Sequence, residues 1–214
     1  MTVARLLIAD DHPLIVEALS LAARSVMPEL AIDTAGTIAA AESLVRERKG
    51  YKLVLLDFLL PDARGFSGFM RLQHLLGSVP IAIVTGQRMP ELAEAARALG
   101  AVGFLPKSQP LDEMARSIRT MLGGATSFPP ASVGDAGASD ARSRVSSLSG
   151  AQLRVLLALA DGRLNKQIAG DLGITEATVK AHMTAIFRKL GVSGRTQALL
   201  AMQPLLGEAR EPLH

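Results

Sequence analysis

The sequence predicts an α/β fold, a doubly wound five-stranded parallel sheet, followed by a small all-α four-helix domain. First, the run Leu53-Val54-Leu55-Leu56 has no polar residue, which is typical of a strand buried on both faces. Second, strand and helix patterns alternate five times in the first half of the chain, as in doubly wound sheets. Third, no strand pattern follows residue 142. These observations predict two domains of different class.

The first domain is predicted over residues 1–122. Pro13 suits the first turn of one predicted helix. Gly100 ends another predicted helix, over residues 90–99. The predicted strands are 4–9, 31–35, 52–57, 80–85 and 103–107. Five helices are predicted. The first begins at residue 13, the second spans 38–49, the third includes residues 72 and 76, and the last two span 90–99 and 111–122.

The second domain is predicted over residues 145–206. It follows a linker at 123–144, where Gly, Pro, Ser and Ala are frequent, and precedes a frayed tail at 207–214. Ser149 and Thr175 are good helix N-caps, and Gly173 and Gly191 end helices. The predicted helices are 149–160, 165–172, 176–190 and about 195–206.

Composition excludes several classes of function. The chain has no cysteine, so it has neither disulfides nor thiol chemistry. With 3% aromatic residues, base stacking on aromatic side chains is not expected. No apolar run approaches the ~18 residues of a membrane span, and the start does not suit a signal peptide. We therefore expect a cytoplasmic protein without membrane contact.

Charge is distributed unevenly along the chain. Residues 1–122 contain 13 basic and 13 acidic side chains, whereas residues 142–206 contain 9 basic and 3 acidic ones. A neutral first domain and a basic second domain indicate that the second one meets a polyanion.

Chemically compatible side chains stand at the ends of four predicted strands: Asp10-Asp11, Asp57, Thr85 and Lys107. Ligands of open α/β sheets bind at this edge. Three adjacent carboxylates repel unless one is protonated or a cation lies among them, and Mg²⁺ is the most plausible cation. A carboxylate nucleophile, a metal, a lysine and a hydroxyl can form an aspartyl phosphate. Each residue alone would be an ordinary loop or cap residue, so the hypothesis depends on the set.

Residues 3–122 resemble the receiver domain of bacterial two-component response regulators. The matching segments are Ala9-Asp10-Asp11-His12-Pro13, Asp57 with Pro61 and Gly65, Thr85-Gly86, and Phe104-Leu105-Pro106-Lys107. One departure is Phe58-Leu59-Leu60, which is more apolar than is usual in that family.

The resemblance implies roles for individual residues. Asp57 would accept a phosphoryl group from a histidine kinase. Mg²⁺ would be held by Asp11, Asp57, a water network on Asp10, and the backbone carbonyl of Leu59. Thr85 and Phe104 would relay the change to the surface, although by pattern alone Phe104 is a core residue.

Residues 165–190 have the spacing of a helix-turn-helix, with Gly173 in the turn. Groups that bond to phosphates and base edges lie on one side of the third helix: Lys180, His182, Thr184, Arg188 and Lys189. A solvated polar face is the alternative, and the basic charge of this domain favours DNA.

This segment is similar to LuxR-type helix-turn-helix domains. The matching segments are Leu148-Ser149, Val155-Leu156, Asn165-Lys166-Gln167-Ile168-Ala169, Leu172-Gly173-Ile174, Thr178-Val179-Lys180-Ala181-His182 and Arg188-Lys189-Leu190-Gly191-Val192. Together with the receiver, the chain resembles a response regulator of the NarL/FixJ type.

The resemblance implies DNA contacts on two helices. Base contacts would come from Lys180, Ala181 and Thr184, while Lys166 and Lys189 would lie nearer the DNA backbone. Thr178, His182 and Arg188 complete the expected DNA-binding set. Gln152 stands where an acidic residue is common, so a structural ion pair is expected to be missing.

Three functions compete at this stage. The first is a transcriptional regulator that binds double-stranded DNA, is phosphorylated by a sensor histidine kinase, and dimerises when phosphorylated. The second is an aspartyl-nucleophile phosphohydrolase, which would need a general acid where Leu59 stands. The third is a LuxR-type sensor of a small molecule, which would not need Asp10, Asp11 and Lys107. We favour the first, with no enzymatic activity beyond self-catalysed phosphoryl transfer to Asp57 and its hydrolysis.

Overall fold

The computed structural model describes residues 3–63, 65–86, 90–129, 147–160 and 162–201. The chain divides into two compact units, Met1–Met89 with Ala101–Pro130 and Pro90–Gly100 with Ala131–His214. Most of the predicted linker, and the tail predicted at 207–214, lie outside the described residues. Among the described helices, none has the length and apolar character needed to cross a membrane.

The first unit is built on a five-stranded parallel sheet of order β2-β1-β3-β4-β5. The strands are β1 Arg5–Ala9, β2 Ala31–Ala35, β3 Tyr51–Asp57, β4 Ile81–Thr85 and β5 Gly103–Pro106. This is one of the common doubly wound orders, and it confirms the predicted fold class. Crossover helices between successive strands explain why every pair is parallel.

The helices agree closely with the sequence patterns. In chain order they are α1 Pro13–Val26, α2 Ile38–Glu47, α3 Ser67–Leu76, α4 Pro90–Leu99, α5 Leu111–Leu122, α6 Gly150–Ala160, α7 Asn165–Leu172, α8 Glu176–Leu190 and α9 Arg195–Ala201. Helix α2 ends two residues before its predicted end, and α9 is described only as far as residue 201.

The register of the sheet brings the strand ends to one edge. Ala9 of β1 lies opposite Leu56 of β3, and Asp57 lies opposite Val84 of β4. Thr85 in turn lies opposite Pro106 of β5. The core beneath this edge contains Leu6, Ile8, Leu53, Leu55 and Ile118 among its buried residues. A rigid apolar sheet therefore fixes the positions of the polar residues that follow each strand.

A short segment after α5 pairs with the edge strand β5. The amide of Ser127 donates to the carbonyl of Val102, and the amide of Phe104 donates to the carbonyl of Ser127, both at 2.9 Å. The pairing is parallel and is limited to the bridge between Gly103 and Ser127. The first residues of the predicted linker therefore continue the sheet.

Helix caps define the helix-turn-helix in the second unit. The Thr175 hydroxyl accepts a hydrogen bond from the Thr178 amide at 3.1 Å, which caps the start of α8. Gly173 and Gly191 have φ angles of 65° and 68° and end α7 and α8 in the left-handed conformation that glycine favours. The buried residues of this unit include Leu153, Leu156, Ile168, Val179, Ile186 and Leu190.

Candidate functional site

The residues predicted at the strand ends converge in one acidic pocket. Lys107 Nζ lies 2.8 Å from Asp10 Oδ2 and 2.9 Å from Asp57 Oδ2, so one ammonium group pairs with carboxylates from two strands. Asp10 and Asp57 are only 3% and 4% exposed. Asp11 and Lys107 are half-buried at the rim. Because water screens buried charges weakly, these interactions are strong ones.

His12 also belongs to this pocket, although the sequence analysis did not select it. Its Nδ1 lies 2.9 Å from Asp11 Oδ1, 3.1 Å from Asp10 Oδ1 and 3.3 Å from Lys107 Nζ. Its backbone amide donates to Asp10 Oδ1 at 2.9 Å. Its place directly after the Asp10-Asp11 pair was the signal that could have identified it.

Burial raises the pKa of the Asp57 carboxyl above its ordinary value, because the surroundings solvate its charge poorly. The close contact with the positively charged ammonium group of Lys107 acts in the opposite direction, as does the hydrogen bond from the Leu59 amide, which donates to Asp57 Oδ1 at 3.2 Å. The negative charge of Asp10 adds to the rise. An additional cation would favour the ionised form that a nucleophile requires.

The donor set fits a hard divalent cation. Ligand atoms of Asp10, Asp11, His12 and Asp57 all lie within 4.8 Å of one another. The Oδ2 atoms of Asp10 and Asp57 are buried and form ion pairs with Lys107. Neither atom accepts a hydrogen bond of good geometry from the described residues. Three carboxylates facing one lysine leave a local excess of negative charge, which an oxygen-seeking cation would balance.

The predicted switch residues stand beside the pocket. Thr85 is fully buried at the end of β4, and its carbonyl accepts a hydrogen bond from the Lys107 amide at 2.7 Å. Phe104 is buried on β5, as the sequence pattern alone predicted. Leu59 lies in the loop after β3, two residues from Asp57. The structure therefore brings the predicted pocket residues to one edge of the sheet, whereas Phe104 lies within β5 opposite Ile83. The roles of all these residues stay predictions.

In the second unit, α8 presents an exposed face made of predicted DNA-binding residues. At about 100° per residue, Lys180, Ala181, Thr184 and Arg188 fall within about 100° of arc on one side of the helix. All four are exposed. The opposite side carries the buried residues Val179, Ile186 and Leu190. A helix with one side buried and one side polar and basic suits insertion into the major groove.

The other predicted residues lie beside or away from this face. Thr178, His182 and Lys189 are half-buried along the flank of α8, and Lys166 is exposed on α7. Ala177 is also exposed, and in a view along the helix axis it lies between Lys180 and Ala181. It was not among the DNA-binding residues predicted from the sequence. A small apolar side chain gives little sequence signal of a binding role.

Lys189 has partners within its own unit. Its Nζ donates to Gln152 Oε1 at 2.8 Å and to the Ser147 carbonyl at 2.5 Å. It could reach a DNA phosphate only by giving up these hydrogen bonds. The ion pair common at residue 152 is therefore absent, as expected for a glutamine. The side-chain amide of Gln152 instead accepts a hydrogen bond from Lys189.

Family comparisons match both halves of the chain. Residues 6–119 match the family described as "Response regulator receiver domain". Residues 146–202 match "Bacterial regulatory proteins, luxR family". The first match alone spans half of the chain.

Two relatives match along nearly their whole length. The chain is 34% identical to the glycerol metabolism activator of Pseudomonas putida, over 92% of this chain and 94% of the relative. It is 30% identical to the putative positive transcription regulator of virulence factors BvgA from Bordetella pertussis, over 91% of this chain and 94% of the relative. Both relatives are named as regulators.

Solved structures show the same fold. RcsB from Salmonella enterica serovar Typhimurium, bound to a promoter in the presence of BeF₃⁻, is 18% identical with a TM-score of 0.56. That match covers 93% of this chain and 98% of RcsB. A LuxR family DNA-binding response regulator from Silicibacter pomeroyi is 26% identical, with a TM-score of 0.51, over 59% of this chain and 96% of that one.

Proposed function

The chain belongs to the response regulators that join a receiver domain to a LuxR-type DNA-binding domain, and we propose that phosphorylation of Asp57 controls its binding to DNA. The observation that carries this proposal is the acidic pocket, where Lys107 Nζ lies 2.9 Å from Asp57 Oδ2 beside Asp10 and Asp11. A pocket of this kind is suited to phosphoryl transfer, and the same chain carries a basic helix-turn-helix.

The reaction at Asp57 is a nucleophilic substitution at phosphorus. A carboxylate oxygen of Asp57 attacks the phosphohistidine of a sensor kinase, the P–N bond breaks, and the released imidazole takes up a proton. Lys107 pairs with charge that develops on the phosphoryl oxygens, and the Leu59 amide orients the carboxylate. Mg²⁺ held by Asp11, Asp57, the Leu59 carbonyl and, through water, Asp10 would supply further charge neutralisation.

The product is an acyl phosphate that hydrolysis resets. Water attacks phosphorus, the bond between phosphorus and the Asp57 oxygen breaks, and inorganic phosphate leaves. We infer no further enzymatic activity, because Leu59 stands where a dedicated phosphohydrolase would need a general acid. The names of the relatives, an activator and a positive transcription regulator, support transcriptional control. A role on DNA would place the protein in the cytoplasm.

Phosphorylation is tested by labelling with a small phosphodonor such as acetyl phosphate. The substitution Asp57→Asn should abolish labelling, because an amide is not a nucleophile for this step. Lys107→Ala and Asp11→Ala should slow it through the loss of charge stabilisation and of a metal ligand. Labelling that persists in Asp57→Asn would show that the acceptor is another residue.

DNA binding is tested on the exposed face of α8. Lys180→Ala should weaken binding to the specific operator by about 1–3 kcal/mol and relax sequence preference. Lys166→Ala is the matched control, since a lost phosphate contact should weaken all sequences alike and flatten the salt dependence. If both variants lose affinity equally across operators, α8 does not read base edges as proposed.

A further inference from the structure

The loop that follows Asp57 and contains Leu59 is bonded to the start of α2. Asp62 Oδ1 accepts a hydrogen bond from the Ile38 amide at 2.8 Å, and Asp62 Oδ2 accepts one from the Ala39 amide at 2.9 Å. The hydroxyl of Thr37 accepts from the third amide of the helix, that of Ala40, at 3.1 Å. Two different parts of the chain therefore cap one helix terminus: Thr37 from the helix side and Asp62 from the loop.

The Asp62 carboxylate is well suited to this bond. Asp62 is exposed, and the slight loss of solvent around its carboxyl would by itself raise its pKa, but the hydrogen bonds from the Ile38 and Ala39 amides and the charge of Arg71 outweigh that effect and lower the pKa. The group is therefore ionised at neutral pH, and it lies at the positive end of a helix dipole.

Helices α2 and α3 also contact each other at Ile38 and one turn further along α2. A Cβ atom added to Gly68 would lie 2.6 Å from Ile38 Cδ1, so the first turn of α3 approaches α2 closely. Further along, Arg71 Nε donates to Glu42 Oε1 at 2.8 Å. The start of α2 is thus a fixed support rather than a free helix end.

The loop between Asp57 and Asp62 is fixed at both ends. At the upstream end, the Phe58 amide donates to the Val84 carbonyl at 2.9 Å. At the downstream end, Asp62 is bonded to α2 as described. Leu59 lies between these two anchors, and within the loop the Ala63 amide closes a turn on the Leu60 carbonyl at 3.1 Å. The direction of the Leu59 carbonyl is therefore determined by a short segment with two attachment points.

We propose that Asp62 is a positioning residue for phosphoryl transfer, because it anchors the loop whose Leu59 carbonyl would hold Mg²⁺ together with the Asp57 carboxylate at the end of β3. This inference rests on the proposed function of Asp57. Asp62 itself touches neither the phosphoryl group nor the metal. It acts through the loop backbone, as the outer partners of metal ligands do.

The test compares Asp62→Ala with Thr37→Ala in the full-length protein. Both substitutions remove a cap from the same helix, but only the first one releases the loop. Mg²⁺ binding is measured by isothermal titration calorimetry, and the rate of labelling by acetyl phosphate is measured against Mg²⁺ concentration. Salt at 0.15 M or above screens the simple loss of one negative charge.

We expect Asp62→Ala to raise the Mg²⁺ concentration for half-saturation by about 3–10-fold, below the range for direct partners of metal ligands. Thr37→Ala should leave this value within about twofold of the wild type, although both variants lower the midpoint of thermal unfolding. Asp62→Asn keeps one acceptor oxygen and should fall between wild type and Asp62→Ala.

Equal Mg²⁺ dependence in Asp62→Ala and Thr37→Ala would overturn the inference, as would an absence of Mg²⁺ binding by the wild type. Failure of the proposed function gives a different result: the wild type would not be labelled, or Asp57→Asn would be. In that case the calorimetric comparison alone decides whether Asp62 positions the loop for a cation.

Discussion

Lys189 connects the end of α8 to the start of α6 through a neutral partner. Gln152 Oε1 accepts hydrogen bonds from Lys189 Nζ at 2.8 Å and from the Ser149 amide at 3.0 Å. The backbone amide of Gln152 in turn donates to the Ser149 hydroxyl at 3.2 Å, which completes a capping box at the start of α6. One side chain thus serves both a helix cap and a contact between helices.

The substitution Gln152→Glu should stabilise this unit. A carboxylate would keep the capping hydrogen bond, convert the contact with Lys189 into an ion pair, and place negative charge at a helix N-terminus. Because the pair is partly exposed, we expect only about 0.5–1 kcal/mol, measured as the shift in thermal or urea unfolding.

Gln167→Glu is the matched control for this prediction. Gln167 has the same position in α7 and accepts from the Leu164 amide at 2.9 Å, so it reports the helix-terminus effect without Lys189. Equal gains in the two variants would show that the ion pair with Lys189 contributes nothing.

Asp62 makes stability depend on pH in a defined direction. Because its pKa is lowered in the folded protein, its contribution is fully present above the unfolded value of about 3.9. The contribution is lost as pH falls through the lowered folded pKa. Asp62→Asn should therefore unfold at a lower temperature than wild type near pH 6, and the difference should shrink as the pH falls below the unfolded value of about 3.9.

A second substitution separates this effect from a general change of charge. Asp112 is an exposed carboxylate that pairs with Arg116 at 2.9 Å on the surface of α5. Asp112→Asn removes the same charge without freeing two helix amides. If its pH profile matches that of Asp62→Asn, the bonds to Ile38 and Ala39 are not the cause.

At the level of elements, the edge of β5 is covered by the segment that follows α5. Gly103 allows this close approach. A Cβ atom at this position would lie 2.4 Å from Met121 Sδ, 3.0 Å from the Ser127 carbonyl oxygen and 3.4 Å from Ala82 Cβ. The methionine can move, but the carbonyl belongs to the backbone that pairs with β5.

Gly103→Ala should therefore release or displace the segment paired with β5. Overpacking of this kind costs about 1–3 kcal/mol. We expect a lower unfolding midpoint and faster hydrogen exchange at the amides of Phe104 and Ser127. Gly36→Ala is the control, because its added Cβ would meet no atom within 4 Å. Unchanged exchange in Gly103→Ala would mean that Ser127 is not held by the space at Gly103.

The elements themselves were largely predictable because each has a local cause. The unbroken apolar run of β3 and the caps at Ser149 and Thr175 are visible in sequence. The convergence of Asp10, Asp57 and Lys107 followed from the rule that parallel strands end at one edge. The pattern alone could therefore place the pocket.

Contacts between distant segments were not predictable in the same way. The bond from Asp62 to α2 joins residues 23 and 24 positions apart, and the pairing of Ser127 with β5 depends on backbone groups that every residue has. The resemblance to LuxR-type domains implied that Lys189 lies near the DNA backbone, whereas its bond to Gln152 spans 37 positions. Such partners are selected by tertiary packing, which leaves no periodic signal.

At the scale of the whole molecule, charge separates two tasks. The balanced first domain surrounds the acidic pocket, and the basic second domain presents Lys180 and Arg188 on the exposed face of α8. One helix-turn-helix reads one half-site, and a second copy supplies the other half of a palindromic operator. Under the proposed function, phosphorylation would control DNA binding by changing the population of dimers. The size of this change would be limited by the difference in free energy that phosphorylation creates between the two states.

The last prediction concerns this coupling in the full-length protein. With Mg²⁺ present, BeF₃⁻ should mimic the phosphoryl group on Asp57, increase the mass seen by sedimentation, and raise the affinity for operator DNA. Asp57→Asn should show neither effect, because the acceptor carboxylate is lost, whereas Lys180→Ala should dimerise normally but bind the operator weakly. If BeF₃⁻ binds and changes neither mass nor affinity, phosphorylation does not control this DNA-binding domain, and the acidic pocket must act on another partner.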